Sequence, residues 1–266
     1  MSFEKEVRNR IIANAKNSSL QKAAYEFLKE STRPKYSYNF SSIGRPIIQY
    51  PQDMVAVQEL IWTIKPDLII ETGIAHGGSL IMSASMLAML DYCDAVKSGT
   101  PLDPMASRRR VLGLDIEIRP HNKEAIEYHP LAHKIDMIEG DSIAPKIVEK
   151  VREIASKYDR ILVMLDSNHT HAHVLAELEA YAPLTSKGSY CVVFDTLVED
   201  MPAEMFPDRP WGPGNNPKTA VREYLQRLNE EGRNAVDGGS LKLEVDKMIE
   251  NKLLITVAPE GYLKRL

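Results

Sequence analysis

The chain has 266 residues, of which 44% are hydrophobic and 26% are charged, a composition typical of globular rather than disordered proteins. Its formal net charge of −4 provides no bulk attraction to nucleic acid or to an anionic membrane, so neither is expected as a partner. The N-terminus has no apolar signal region, and no apolar run reaches the roughly 18–20 residues of a membrane span. We therefore expect a cytoplasmic protein without a membrane span.

The N-terminal part of the chain is predicted to be helical. Apolar residues recur with helical spacing over residues 3–31, with a break at Asn17, and a further helix is predicted from Pro51 to about residue 65. The glycine- and proline-containing stretch between them predicts irregular structure. Residues 1–65 are thus expected to form a helical extension, and its apolar helices would suit the subunit interface of a homo-oligomer.

From residue 67 the pattern changes to short apolar strands that alternate with helices. The predicted strands are 68–71, 111–115, 135–139, 161–166 and 190–195, and the predicted helices are 78–97, 143–157 and 171–182. Such alternation is typical of an α/β protein with a doubly wound parallel sheet. A later helix, 217–228, can be capped by Asn215 or Asn216. The last two predicted strands, 241–245 and 253–257, could pair as an antiparallel edge hairpin. We therefore predict a single domain of residues 1–266, in which residues 66–266 form the core.

Acidic residues stand at the ends of the predicted parallel strands. They are Glu71, Asp115, Glu139 with Asp141, Asp166 and Asp195. Ligands of open α/β sheets bind beyond the carboxyl ends of the strands, where these carboxylates would gather. Because gathered carboxylates repel one another, the set predicts a ligand site that contains cationic or hydrogen-bonding groups.

The turn after the first strand has the composition of a ligand-binding turn. Its glycines, at 73, 77 and 78, let the backbone approach a ligand, and Ser79 can donate a hydrogen bond. The turn lacks the Gly-x-Gly-x-x-Gly fingerprint of dinucleotide enzymes. An acid directly before the first glycine, Glu71, suits a cationic ligand such as a sulfonium with an amino group. Asp115 could accept both hydroxyls of a ribose, which NAD enzymes require as well, so it indicates adenosine without choosing the cofactor.

A third cluster, in residues 166–173, combines an acid with three histidines. Asp166 ends one strand and Asp195 ends the next, so the two carboxylates could share a divalent cation whose shell is completed by water. His169 lies in the loop at the same rim, where a ligand-binding or catalytic role is expected. His171 and His173 are expected on an exposed helix face.

The segments 44–53, 71–79, 166–169, 195–196 and 210–217 together resemble the cephalosporin hydroxylase family, which includes rhamnosyl and macrolide-sugar O-methyltransferases. The resemblance extends over residues 36–230. It implies a Rossmann-like class I methyltransferase fold, S-adenosylmethionine as the methyl donor and often Mg²⁺. The acceptor implied by the family is a hydroxyl group of a sugar, glycan or other small molecule.

The resemblance also implies roles for individual residues. Binding of the methionine part falls to Glu71, Gly73, Gly77 and Ser79, binding of the ribose to Asp115, and contact with the adenine to Asp141 and Ser142. Asp166 and Asp195 match two metal ligands, and His169, with Asp166, matches the catalytic base of the sugar-methylating relatives. Members of the family often have an acid directly before Asp195. Here it is Phe194, which predicts a weaker metal site.

Three alternatives stay open on the sequence. The first is an NAD-dependent oxidoreductase, which the missing fingerprint disfavours. The second, suggested by the family name, is an iron- and 2-oxoglutarate-dependent hydroxylase, for which His169, His171 and Asp166 could supply the two histidines and one carboxylate. The third is a non-catalytic protein that keeps the cofactor pocket but lacks the chemistry, an alternative that Phe194 leaves open. Trp211, within a long loop of glycine and proline, predicts a lid over the site.

Overall fold

The computed structural model describes residues 2–266, in which strands and helices alternate from residue 68 onward. The helices are α1 (Phe3–Lys16), α2 (Ser18–Thr32), α3 (Pro51–Ile64), α4 (Gly78–Ser98), α5 (Pro120–Glu127), α6 (Pro145–Ala155), α7 (His171–Tyr181), α8 (Pro217–Glu231) and α9 (Lys247–Leu253). The strands are β1 (Phe40–Ser42), β2 (Arg45–Ile47), β3 (Leu68–Thr72), β4 (Arg110–Asp115), β5 (Ile135–Glu139), β6 (Ile161–Leu165), β7 (Tyr190–Val193), β8 (Leu243–Val245) and β9 (Tyr262–Arg265).

Within residues 2–266, seven strands form one sheet in the order β5-β4-β3-β6-β7-β9-β8. The first five are parallel, whereas β9 is antiparallel to both β7 and β8. Every residue of β3, β6 and β7 is buried, because hydrophobic clusters cover both faces of the sheet. The strand order reverses between β3 and β6, which is where an open α/β sheet binds ligands. The predicted Rossmann-like fold with an antiparallel C-terminal edge is confirmed.

The predicted strand 253–257 is wrong, although the antiparallel edge exists. Residues 247–253 form α9, whose first turn is capped by the Asp246 carboxylate, which accepts from Met248 N at 2.9 Å. The residues after α9 do not join the sheet, because Thr256 and Val257 donate hydrogen bonds to the buried Asp53 carboxylate instead. The strand that pairs with β7 is β9, through Tyr190–Lys264 and Val192–Tyr262 register pairs.

Two further elements were not expected from the sequence, namely α5 and the β1–β2 hairpin. Helix α5 begins with Pro120 in its first turn, a favourable position for proline. The hairpin lies in the stretch predicted to be irregular, and the carbonyl of Pro46 lies so close to Gly78 that a Cβ there would come within 2.2 Å of its oxygen. The N-terminal hairpin is therefore packed directly on the first turn of α4.

The N-terminal helices contribute unequally to the core. Helix α3 buries Ala56, Val57, Leu60 and Ile61 in the same hydrophobic cluster as the sheet residue Ile69. Helix α1 packs on α9 near the C-terminus, where the Asn14 side chain donates to the carbonyl of Asn251 at 3.1 Å. The division into an extension of 1–65 and a core of 66–266 stays a prediction.

Helix α4 has 21 residues and is apolar enough, by length and composition alone, to cross a membrane. Its residues Leu80, Ile81, Ala84 and Leu87 are fully buried in the protein. Its first turn contacts the Pro46 backbone, as described above. The first half of α4 therefore packs inside the protein, whereas Met89, Tyr92 and Val96 in its second half are exposed.

Candidate active site

The turn from β3 into α4 lies at the point where the strand order reverses. Gly73 has φ +90°, and a Cβ there would lie 2.1 Å from the Asp166 carbonyl oxygen. Neither feature is compatible with a side chain, so this position requires glycine. The Asp166 N–H donates to the Thr72 carbonyl at 3.0 Å. The end of β3 and the end of β6 are thereby held against each other, and the predicted cofactor turn lies beside the predicted metal site.

Glu71 is buried, with 2% of its surface exposed. One of its oxygens accepts a short hydrogen bond from the Ser79 hydroxyl, and the other has no hydrogen-bond partner among the described residues. Burial raises the pKa of Glu71 from 4.5 to about 7, although the Ser79 hydrogen bond acts in the opposite direction. Glu71 lines a small pocket of about 20 Å³ together with Ser79 and Asp166. A buried carboxylate with a free oxygen at such a pocket is suited to bind a cationic group.

Asp115 organises the same turn from the end of β4. Its carboxylate accepts hydrogen bonds from Ile74 N at 2.8 Å and Ala75 N at 3.2 Å. Ala75 has φ 46°, a conformation that L residues adopt rarely. Asp115 therefore supports the turn itself, in addition to any contact with a ribose.

Asp141 and Ser142 follow β5. The Asp141 carboxylate accepts from Ile143 N at 3.1 Å, whereas the Ser142 hydroxyl donates to Glu177 at 2.6 Å. Ser167, in the loop after β6, donates to the same Glu177 oxygen at 2.7 Å. Glu177 thus connects the loops after β5 and β6. The Ser142 hydroxyl is directed to this internal network, and its predicted contact with an adenine stays a prediction.

His169, Asp166 and Asp195 converge as predicted. One ligand atom from each lies within 4.8 Å of the others, and His169 Nε2 is 3.1 Å from an Asp195 carboxylate oxygen. Asp195 has φ 54°, so a non-glycine residue is held in the left-handed region two residues after the end of β7. Strain of this kind persists where surrounding contacts enforce it, often at functional sites.

The electrostatics of this cluster favour a cation. Burial raises the pKa of Asp166 well above its ordinary value, and the charges of Asp195, Glu71, Glu177 and Asp53 raise it further. Two carboxylates can hold Mg²⁺ when water or substrate oxygens complete its six ligands, so the donor set fits this ion. Phe194 is 5% exposed and packs in the hydrophobic core, so it adds no oxygen ligand to the set.

A loop of residues 201–216 lies over this cluster. The Trp211 ring contacts the His169 ring edge-on, with 4.8 Å between centroids, and the Arg209 guanidinium lies 5.1 Å from the centre of the Trp211 ring. The end of the loop is fixed, because Asn216 caps α8 as expected and Asn215 accepts from His171 N at 2.9 Å. The position of Trp211 is compatible with a lid over His169.

A cavity of about 540 Å³ opens between these elements, within the usual size range of small-molecule sites. Its walls include Gly73, Ser79, Asp166, His169, Asp195 and Trp211, together with residues of the N-terminal stretch such as Lys35, Tyr38, Gln49 and Tyr50. Arg45 in β2 supports this wall by donating to the His76 carbonyl at 2.7 and 3.0 Å. No role was predicted for these N-terminal residues, although Gln49 and Tyr50 lie in the segment 44–53, which was part of the resemblance.

The expectation that His171 and His173 lie on an exposed face is wrong. His171 Nδ1 is 2.8 Å from the Thr219 hydroxyl and its Nε2 is 2.9 Å from Glu223, so the ring faces α8. His173 contacts Ser142 and Glu177; burial lowers its pKa, but the hydrogen bond and charge of Glu177 outweigh this and raise it. Because His171 is bound to α8, it is not positioned with His169 and Asp166 as an iron triad would require.

Comparison with known proteins agrees with this geometry. The family model described as Rhamnosyl O-methyltransferase/CmcI matches residues 34–266. A rhamnosyl O-methyltransferase of Mycobacterium leprae (strain TN) is 30% identical over 226 residues, which cover 84% of this chain and 82% of that protein. Its counterpart in Mycobacterium tuberculosis (strain ATCC 25618 / H37Rv) is 29% identical over 217 residues, covering 80% of this chain and 73% of the relative.

Among solved structures, the fold is similar to that described as "cmcI-D160 Mg-SAM", with a TM-score of 0.51 and 18% identity. The similarity covers 86% of this chain and 77% of that chain. At 18% identity this similarity supports the fold alone. The family assignment rests on the family model, which matches most of the sequence. The chain belongs to the Rhamnosyl O-methyltransferase/CmcI family.

Proposed function

We propose that the protein is an S-adenosylmethionine-dependent O-methyltransferase that methylates a hydroxyl group of a sugar. The observation that carries this proposal is the convergence of His169, Asp166 and Asp195 beside the glycine turn that follows Glu71. The relatives named rhamnosyl O-methyltransferase support a sugar as the acceptor class. The acid-glycine turn replaces the dinucleotide fingerprint, which disfavours the alternative of an NAD-dependent oxidoreductase.

The cofactor would bind across the turn between β3 and α4. The free oxygen of Glu71 would accept from the amino group of the methionine part, and Gly73 allows its close approach. The Asp115 carboxylate accepts hydrogen bonds from three backbone N–H groups. Because a carboxylate has about four acceptor positions, a ribose hydroxyl can still bind there. Asp141, after the neighbouring strand β5, would lie on the adenine side.

His169 would act as the general base at the reacting hydroxyl. The hydroxyl oxygen attacks the methyl carbon, the carbon–sulfur bond breaks with its electron pair going to sulfur, and the hydroxyl proton goes to His169. Asp195, 3.1 Å from Nε2, can stabilise the imidazolium that forms. Mg²⁺ held by Asp166 and Asp195 would lower the pKa of an acceptor hydroxyl. With Phe194 in place of an acid, we expect this site to need a substrate oxygen for firm binding.

The test is methyl transfer from S-adenosylmethionine to a panel of rhamnosides and other glycosides, followed by mass spectrometry. We expect His169→Ala to lower turnover by about two to four orders of magnitude, the usual contribution of a general base. His171→Ala is the matched control, since that ring faces α8. An excess of chelator should abolish transfer but leave cofactor affinity nearly unchanged. Full activity in chelator would remove the metal from the proposal.

Absence of turnover with every acceptor, despite tight cofactor binding, would favour the non-catalytic alternative. The cytoplasmic location and the homo-oligomeric state remain proposals, drawn from the composition and from the N-terminal helices. Size-exclusion chromatography with light scattering tests the oligomeric state directly. The same panel of glycosides tests which group attached to the sugar the enzyme accepts.

A further inference from the structure

Asp53, in the first turn of α3, is a buried carboxylate that the proposed chemistry does not use. Its side chain is 1% exposed and accepts hydrogen bonds from the Thr256 hydroxyl, from Val257 N at 2.9 Å and from the Tyr262 hydroxyl at 2.7 Å. Burying a carboxylate costs free energy unless its oxygens are well bonded. Asp53 therefore stabilises one particular conformation of the segment 256–262, which lies 203 or more residues away along the chain.

That segment holds the residues that follow Asp195. The Val257 carbonyl accepts from Leu197 N at 3.1 Å, and the Pro259 carbonyl accepts from the Thr196 hydroxyl at 2.6 Å. Both bonds lie within two residues of Asp195, whose backbone is in the left-handed region at φ 54°. A continuous series of hydrogen bonds thus leads from Asp53, through the segment 256–262, to the strained residue of the catalytic cluster.

We propose that Asp53 is a positioning residue for Asp195. By fixing the carbonyls of Val257 and Pro259, it stabilises the left-handed conformation that directs the Asp195 carboxylate toward His169 and Asp166. This inference rests on the proposed function of the cluster. Asparagine keeps the size of the side chain but removes its charge. Its NH₂ group would face the Thr256 and Tyr262 hydroxyls, which would then have to accept instead of donate, so their own protons would lose this partner.

The test compares Asp53→Asn with Asp246→Asn. Asp246 is a matched control, because it also accepts from a tyrosine hydroxyl, Tyr190 at 2.7 Å, and from a backbone N–H, Met248 at 2.9 Å, but it does not contact residues 256–259 in the bonds described. Hydrogen exchange is measured on the peptide that contains Leu197. Calorimetry measures two affinities: that of Mn²⁺ in the presence of S-adenosylhomocysteine, and that of S-adenosylhomocysteine itself, the demethylated form of the cofactor.

For Asp53→Asn we expect Leu197 to exchange at least about tenfold faster and Mn²⁺ to bind about 10–100-fold more weakly, the usual effect of losing a residue that orients a ligand. Cofactor binding should stay within about twofold, since Glu71 and Asp115 are not involved. The control should leave all three quantities unchanged. Unchanged exchange and unchanged Mn²⁺ affinity in Asp53→Asn would overturn the inference, and so would an equal effect of the control.

Two further outcomes remain decisive. If Asp53→Asn fails to fold, Tyr262→Phe and Thr256→Val each remove one donor and keep the carboxylate, and a smaller change in the same direction is expected from each. If the unaltered protein binds no Mn²⁺ even when an acceptor glycoside is added beside S-adenosylhomocysteine, the metal part of the proposed function fails, and hydrogen exchange at Leu197 alone decides the inference.

Discussion

The buried carboxylate of Glu71 makes a strong prediction about stability. Its pKa is raised from 4.5 to about 7 in the folded protein. A raised carboxyl pKa favours folding only while the group is protonated, so this contribution is lost as pH rises through about 7. The shift corresponds to about 3 kcal/mol of destabilisation once the group is charged in both states. Glu71→Gln keeps the shape and removes the charge, and should relieve this cost.

We therefore expect Glu71→Gln, without cofactor, to be more stable than the unaltered protein by about 3 kcal/mol near pH 9 and by about 1 kcal/mol or less near pH 5. Urea unfolding at both pH values measures the difference. The exposed Glu127→Gln is the control and should change the free energy of unfolding by less than about 0.5 kcal/mol at both pH values. S-adenosylmethionine should reduce the advantage of the variant, since a cationic group would compensate the Glu71 charge. An advantage of equal size at both pH values would refute the reasoning.

Three other perturbations test the site. Gly73→Ala should cost at least about 2 kcal/mol of stability, whereas Gly44→Ala, also at positive φ but with open space around its Cβ, should cost clearly less in the same urea experiment; equal costs would contradict a role for the contact. Asp115→Ala should weaken S-adenosylmethionine binding in calorimetry by about 1.5–3 kcal/mol, and tighter binding of NAD than of S-adenosylmethionine would contradict the cofactor assignment. Limited proteolysis should cleave near residues 201–216 in the free protein and more slowly with cofactor and acceptor bound, because Trp211 would close over them; equal rates would contradict a lid.

Much of the fold can be predicted because its strands are locally unambiguous. Strands such as β3 and β6 are short apolar runs that end at acids, and their burial on both faces leaves little else for them to form. Since parallel strands end at one edge of the sheet, the meeting of Asp166, His169 and Asp195 could be predicted as well. The three side chains do lie together in the structure.

The parts that could not be predicted depend on contacts between distant segments. Residues 253–257 have a strand-like composition, and what excludes them from the sheet is the pairing of Thr256 and Val257 with Asp53. His171 was misjudged for the same reason, because its partners lie on α8. His173 was misjudged because Ser142, in the loop after β5, contacts it, although its other partner, Glu177, lies one turn further along α7. The apolar pattern of α7 does not show which residues of other segments will pack against it. The part of the cavity wall formed by N-terminal residues was not predicted, because those residues lie in loops and short elements that have no regular sequence pattern.

The close contact between Gly78 and the Pro46 carbonyl has a consequence for building hybrid enzymes from members of the family. The hairpin and the start of α4 leave no room for a Cβ between them, so their shapes must match. A hybrid with its junction near residue 66 would combine a hairpin from one parent with a cofactor helix from another. Junctions placed before residue 40 would keep both surfaces from the same parent, and would also keep Asp53 with its partners in the C-terminal segment.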